Sequence, residues 1–266
     1  AVLEFQDALE IDPNAATIHI SIADGYRRLG RSKHAENHLE IAITLDSNDI
    51  TAREMLGQLY LLNRQYKLAE NQFLALSKID FNNDNYLSIL GDLAKLQKEW
   101  NKSIDFYLKA YQINSQNFKV LESAMQVCLS VELFKKAEQI CKMLVDYNIN
   151  NSSYWLTYKQ ITAYNKNYHN TLIAINELER IEGESIKLTL EKSAIIQELN
   201  NIKEAIKILL KAHDPDSANV EIVKRLVSLY LEDQNFEDAE IFNMLLLREF
   251  PDDSAGHINA AIISLN

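Results

Sequence analysis

An internal period of 34 residues constrains the fold of this chain more than any other feature of its sequence. When the sequence is shifted by 34 residues, seven small residues fall into one column: Ala35, Ala69, Ser103, Ala137, Thr171, Ala205 and Ala239. A fixed period of this length is typical of repeat proteins, in which each repeat is one supersecondary unit that stacks on its neighbours. The period therefore predicts a linear array of similar units.

Each repeat has the sequence pattern of two amphipathic helices joined by a short turn. In the repeat that begins at Ile50, two apolar runs at helical spacing are separated by the polar residues 63–65. Two helix backbones cross closely only where small residues meet, so we expect Ala69 to face Gly57. Polar links such as residues 46–49 contain Asp and Asn, which predict an N-cap for the helix that follows.

These columns resemble those of the tetratricopeptide repeat (TPR) family, whose 34-residue pattern includes Leu-Gly, Tyr, Ala and Phe. The second full repeat carries the pattern as Leu56, Gly57, Tyr60, Ala69 and Phe73. Lys159 and Lys192 depart from it, since they stand where Gly and Leu are expected. The resemblance implies an all-α, right-handed superhelical solenoid of antiparallel helix pairs. It also implies a concave groove, lined by the first helix of each pair, that binds peptides or proteins.

One unbroken phase of the repeat divides the chain into about fifteen to sixteen helices. Residues 1–15 are expected to be the second helix of a truncated first repeat, and residues 254–266 the first helix of a following one. The seven full repeats within 16–253 are predicted at 16–49, 50–83, 84–117, 118–151, 152–185, 186–219 and 220–253. The chain is thus interpreted as a fragment of a longer array. Ile262, Ile263 and Leu265 would lack a stacking partner, which favours end-to-end self-association through the truncated repeats.

The composition excludes some classes of partner. Lys and Arg total 27 against 38 Asp and Glu, which gives a formal charge of −11 and argues against nucleic acid as a partner. No apolar run reaches the roughly 18 residues that a membrane span requires. The localisation stays open between the cytoplasm and, if a signal peptide was removed, the periplasm.

The sequence offers no constellation that predicts catalysis, a cofactor or a metal site. His34 and His38 are four residues apart on one predicted helix, but no third ligand accompanies them, so we interpret them as ordinary surface or interface histidines. Cys128 and Cys141 match no zinc or redox spacing and are expected to be two buried free thiols. The chain is therefore predicted not to be an enzyme and to need no cofactor.

The candidate binding residues recur on the first helices, where residues 34 apart return to the same helix face. One lane consists of Asp24, Gln58, Asp92, Gln126 and Gln160, flanked by Glu54, Glu122, Leu156 and Tyr164. Glutamine both donates and accepts hydrogen bonds, which suits recognition of an extended peptide backbone. The acidic neighbours favour a basic or neutral ligand. The alternative is that the lane is only a hydrated helix face.

These patterns predict a protein-interaction scaffold that binds a peptide or protein partner along its groove. The carboxylate clamp of chaperone-binding TPR proteins is not evident, since only Lys224 and Arg225 form a basic pair on this face. Two alternatives remain. The chain is the repeat arm of a larger enzyme, for example a glycosyltransferase, or it is a structural stalk that only self-assembles.

Overall fold

The described part of the chain consists of α-helices and short links. The computed structural model describes residues 2–214 and 219–265, so the predicted segments that include residues 1, 215–218 and 266 lie partly outside it. No strand occurs within these ranges, and sixteen helices do, which confirms the predicted all-α repeat array. No helix there combines the length and apolar character needed to cross a bilayer.

The helices alternate between a first and a second helix of each repeat. The second helices are α1 (Val2–Ile11), α3 (Ser32–Leu45), α5 (Tyr66–Ile79), α7 (Trp100–Ile113), α9 (Phe134–Tyr147), α11 (Tyr168–Glu182), α13 (Ile202–Ala212) and α15 (Phe236–Glu249). The first helices are α2 (Ala16–Arg28), α4 (Ile50–Leu62), α6 (Asp84–Leu96), α8 (Phe118–Ser130), α10 (Ser152–Tyr164), α12 (Ile186–Glu198), α14 (Val220–Glu232) and α16 (Ser254–Ser264). Each first helix therefore begins 34 residues after the previous one.

The array divides into two compact units, Ala1–Ile140 and Cys141–Asn266. They are called the N-terminal unit and the C-terminal unit below. Within each unit, a helix packs mainly on its neighbours in the chain, for example α4 on α5 and α12 on α13. Each unit therefore has its own buried apolar core, with Leu56, Phe73 and Leu90 in one and Leu209 and Leu226 in the other.

Most first helices begin at a polar side chain that caps their free backbone amides. Oδ1 of Asp49 accepts a hydrogen bond from the amide of Ala52 at 2.7 Å, and Asn83 caps α6 in the same way. Such a cap provides a hydrogen-bond partner for an amide that has none within its helix, and it stabilises the helix by roughly 1 kcal/mol. The prediction that these polar links supply N-caps is confirmed.

A left-handed residue follows the first helix of each of the seven full pairs. The residue at this turn is glycine only once, at Gly30, and elsewhere it is an L-residue with φ between 56° and 60°: Arg64, Lys98, Glu132, Lys166, Asn200 and Gln234. The amide of the next residue bonds back across the turn, as from Gln65 to the Tyr60 carbonyl at 2.8 Å. This geometry is a Schellman motif, which turns the chain sharply into the second helix.

The column of small residues lies at the crossing of the two helices. All seven members are buried, and Ser103 Oγ donates to the Gly91 carbonyl on the facing helix at 2.8 Å. At Gly57, however, an added Cβ would meet the Phe73 ring at 2.9 Å, and Ala69 is not among its nearest neighbours. The glycine therefore makes room for an aromatic ring one turn beyond Ala69, and the bond from Ser103 to Gly91, the equivalent residues of the next repeat, agrees with the predicted approach of these two positions.

The departures from the family pattern have local polar solutions. Lys159, which replaces the glycine, is buried and forms an ion pair with Glu191. Lys192 pairs with Glu179 at 2.7 Å. Asn243 stands at the repeat position that Phe73 occupies in the second full repeat, and it donates to the Gly256 carbonyl at 2.9 Å. The repeats of the C-terminal unit thus keep their packing with different side chains.

The last helix exposes part of its apolar surface. Ile262 and Leu265 are exposed, as expected from the sequence. Ile263 instead packs against the apolar core of the C-terminal unit, so the expectation that it lacks a partner is wrong.

Candidate functional site

Four residues of the predicted lane occupy the ninth position of α2, α4, α6 and α8 in the N-terminal unit. They are Asp24, Gln58, Asp92 and Gln126. Gln58, Asp92 and Gln126 are exposed, whereas Asp24 is half-buried. Among the described residues, the side-chain amides of Gln58 and Gln126 have no hydrogen-bond partner. Both glutamines are therefore able to donate to and accept from a ligand.

Asp24 forms ion pairs with two arginines of its own helix. Arg27 donates to Oδ1 at 2.6 Å and Arg28 to Oδ2 at 2.7 Å. The hydrogen bond from Arg27 is the largest influence on the pKa of Asp24, and together with the smaller contribution of Arg28 it lowers this pKa although burial raises it. The first position of the lane thus presents a neutralised carboxylate, a pairing that the sequence analysis did not predict.

One acidic residue of the lane and one beside it accept hydrogen bonds from buried tyrosines. Tyr86 donates to Glu54 at 2.6 Å, and Tyr107 donates to Asp92 at 2.6 Å. Burial raises the pKa of both tyrosines, and their carboxylate partners raise it further. Each hydrogen bond therefore holds its carboxylate in one orientation. Glu122, the other predicted acidic neighbour, is half-buried.

The remaining predicted residues lie on α10 in the C-terminal unit. Gln160 is exposed, Leu156 is 45% exposed and Tyr164 is 65% exposed. Leu156 and Gln160 both line a cavity of about 350 Å³ between α10, α11 and α12, whereas Tyr164 is not part of its lining. The structure thus brings two of the three predicted residues together in one concave site.

Most of the side chains that line this cavity were not predicted from the sequence. Ala163 and Ala194 line it as small apolar residues, and Lys187 adds a charged one. The ion pair of Lys159 and Glu191 also lies in its wall. The sequence did contain one signal for the cavity. Ala163 and Ala194 stand at repeat positions where the other repeats carry larger or polar side chains.

The histidines do not form a metal cluster. His38 Nδ1 lies 3.0 Å from His19 Nδ1 in a hydrogen bond, and the rings of His34 and His38 pack near Tyr26. Burial lowers the pKa of His38, and the neighbouring histidines lower it further. Within the described residues, no group of three potential ligands is placed to hold a metal ion.

Both cysteines are free and buried, as predicted. Burial raises the pKa of the Cys128 thiol to about 11 and that of the Cys141 thiol to about 12. A thiol with such a pKa is almost fully protonated at neutral pH, so neither cysteine is an activated nucleophile.

The comparisons with known proteins identify the fold. The sequence matches no known protein-family model and no curated protein. A chain from the structure of Naa15/Naa10 bound to HypK-THB aligns with 95% of this chain and 39% of its own length, with a TM-score of 0.57 and 15% identity. The C-terminal part of a TPR repeat-containing protein from Cytophaga hutchinsonii aligns with 97% of this chain and 92% of its own, with a TM-score of 0.50 and 13% identity. The chain therefore has the TPR fold.

Proposed function

We propose that this chain is a non-catalytic scaffold that binds a peptide or protein segment along the faces of its first helices. The observation that carries the proposal is the row of exposed glutamine amides at a repeated position, together with the concave cavity beside Gln160. An extended peptide exposes a donor and an acceptor at each residue, and glutamine satisfies both. The TPR fold supports a role in protein interaction in general.

The charge of the N-terminal unit's lane favours one kind of ligand there. Glu54 and Asp92 each accept a hydrogen bond from a tyrosine, which fixes an acidic side chain at two repeats of this unit. Charge complementarity across an interface selects partners and raises their association rates. We therefore expect a basic or neutral segment, and not an acidic one, to bind on this unit.

The test is selection of peptides by the whole chain. A random dodecapeptide display library is panned on the immobilised protein, and the selected peptides are measured by calorimetry. For a peptide that binds either unit, Gln126→Ala or Gln160→Ala is expected to weaken binding by about 1–3 kcal/mol. Gln112→Ala, at an exposed glutamine on the second helix α7, is the matched control. A library that yields no binding peptide overturns the proposal.

A second candidate is that these repeats are the arm of a larger protein or assembly, including an enzyme. The observation that favours it is the match to a longer chain from a protein complex, of which this chain spans 39%. Affinity purification of the full gene product from its native cells, with mass spectrometry, distinguishes the two. A catalytic domain in the same polypeptide, or an enzyme at equal molar amount, would support this candidate.

A further inference from the structure

The cavity between α10, α11 and α12 exists because alanine stands at one position of α10 and at one position of α12. Ala163 is the twelfth residue of its first helix, where the other first helices from α2 to α14 carry Arg27, Leu61, Lys95, Leu129, Gln197 and Leu231. Ala194 is the ninth residue of the next first helix, where those helices carry Asp24, Gln58, Asp92, Gln126, Gln160 and Ser228. Both alanines line the cavity. Two truncated side chains on adjacent first helices leave space that longer ones would fill.

The walls of this cavity are largely apolar. Leu156, Ile175 and Ile195 line it together with the two alanines. Ile175 is fully buried, whereas Leu156 is 45% exposed. Its volume of about 350 Å³ is at the lower end of the range for ligand pockets. The cavity thus has the size and surface to receive an aliphatic side chain, which would cover the exposed part of Leu156.

The charged residues of the cavity add up to a positive site. Lys159 and Glu191 neutralise each other in an ion pair. Lys187, the other charged residue of the lining, is exposed and has no ion-pair partner among the described residues. One uncompensated ammonium group therefore lies beside the apolar wall in a chain with a formal charge of −11. This arrangement is complementary to a carboxylate that neighbours an apolar side chain.

We propose that this cavity is a specificity pocket for a peptide segment in which an aliphatic side chain lies close to an acidic residue. The aliphatic side chain enters between Ala163 and Ala194, and the acidic residue pairs with Lys187. Gln160 on the rim bonds to the peptide backbone. The inference rests on the proposed scaffold function and refines it. The cavity of the C-terminal unit takes a segment with an acidic residue, whereas the N-terminal unit favours a basic or neutral segment.

The experiment uses a random dodecapeptide display library panned on the full chain and on pocket variants. The unchanged chain is expected to select peptides with Leu, Ile or Met within about three residues of Asp or Glu, the reach of one extended segment across the pocket. Ala163→Leu and Ala194→Leu fill the cavity and are expected to weaken those peptides about 10- to 100-fold, the effect of excluding one large aliphatic side chain. Ala261→Leu, at an exposed alanine of α16, is the matched control.

Two further variants separate the apolar contact from the charge. Leu156→Ala removes an exposed wall of the cavity without disturbing the core, so it tests the pocket even if a filled variant fails to fold. It is expected to weaken the selected peptides about tenfold, the effect of losing part of one aliphatic contact. Lys187→Gln is expected to retain the aliphatic preference and abolish the acidic one. Lys203→Gln, at an exposed lysine of α13 outside the cavity, is expected to change neither.

The outcomes distinguish the pocket from the scaffold. If the chain selects peptides whose affinities are the same in Leu156→Ala and in the filled variants, the pocket inference is overturned and the scaffold function stands. If Lys187→Gln leaves the acidic preference intact, the assigned charge contact is wrong. If panning selects no peptide above an empty surface, the scaffold function and the pocket inference both fail.

Discussion

Replacing Gln234 with glycine is expected to stabilise the C-terminal unit. Gln234 has φ of 59° at the turn between α14 and α15. The left-handed conformation costs an L-residue roughly 1–2 kcal/mol, and glycine adopts it without that cost. The greater freedom of glycine in the unfolded chain offsets about 0.4–1 kcal/mol of this gain. The net gain is about 0.5–1 kcal/mol, measured as slower amide exchange in α14 and α15 and a higher urea midpoint.

The same turn at two other repeats provides the matched controls. Asn200 has φ of 58°, and asparagine tolerates this conformation, so Asn200→Gly should change stability by less than about 0.5 kcal/mol. Gly30 has φ of 69°, and a Cβ added there would meet only open space, so Gly30→Gln should cost about 0.5–1 kcal/mol, the backbone strain less the entropy that glycine has in the unfolded chain. If Asn200→Gly stabilises as much as Gln234→Gly, the reasoning from left-handed strain is refuted.

Three other perturbations test the core and its buried groups. Gly91→Ala should destabilise the N-terminal unit by about 1–3 kcal/mol in urea melts, since its Cβ would lie 2.5 Å from the Tyr107 ring; an unchanged midpoint would show that the ring moves freely. Burial raises the pKa of Glu70, but hydrogen bonds, chiefly from a lysine of α7, outweigh it and lower the pKa. Glu70→Gln should therefore cost stability at neutral pH, and its difference from the unchanged protein should disappear as pH falls through the folded-state pKa; a difference that persists in acid would contradict this. Cys128 and Cys141 should resist a disulfide exchange reagent at about pH 8 until urea unfolds the chain, whereas rapid labelling of the native protein would show that the thiols are reached.

The helical architecture was readable from the sequence because packing constraints recur at every repeat. A small residue is required wherever two helices cross, so Ala35 and its equivalents form a column without any alignment to other proteins. Polar links precede the first helices because their amides need caps, and Asp49 shows this directly. The left-handed turn was not predicted, since only Gly30 carries the residue type that signals it.

The cavity was less predictable because it depends on three helices at once. Leu156 and Gln160 were predicted from their position on one helix face, and both line the cavity. The space beside them arises from Ala194 on the next first helix and Ile175 on the intervening second helix, and no single column of the repeat contains that combination. The ion pairs of Arg27 and Arg28 with Asp24 were likewise not predicted. The lane was found by comparing residues 34 apart on different helices, and these arginines are neighbours of Asp24 on the same helix.

The hydrogen bond from Tyr86 to Glu54 also bears on how the chain is made. These residues are 32 positions apart, about one repeat, although they join two different first helices. Low separation between contacting residues speeds folding, because little chain entropy is lost before each contact forms. During synthesis, a helix pair therefore finds its partner surface already present as it leaves the ribosome. The array is suited to folding progressively from its N-terminus, one repeat behind translation.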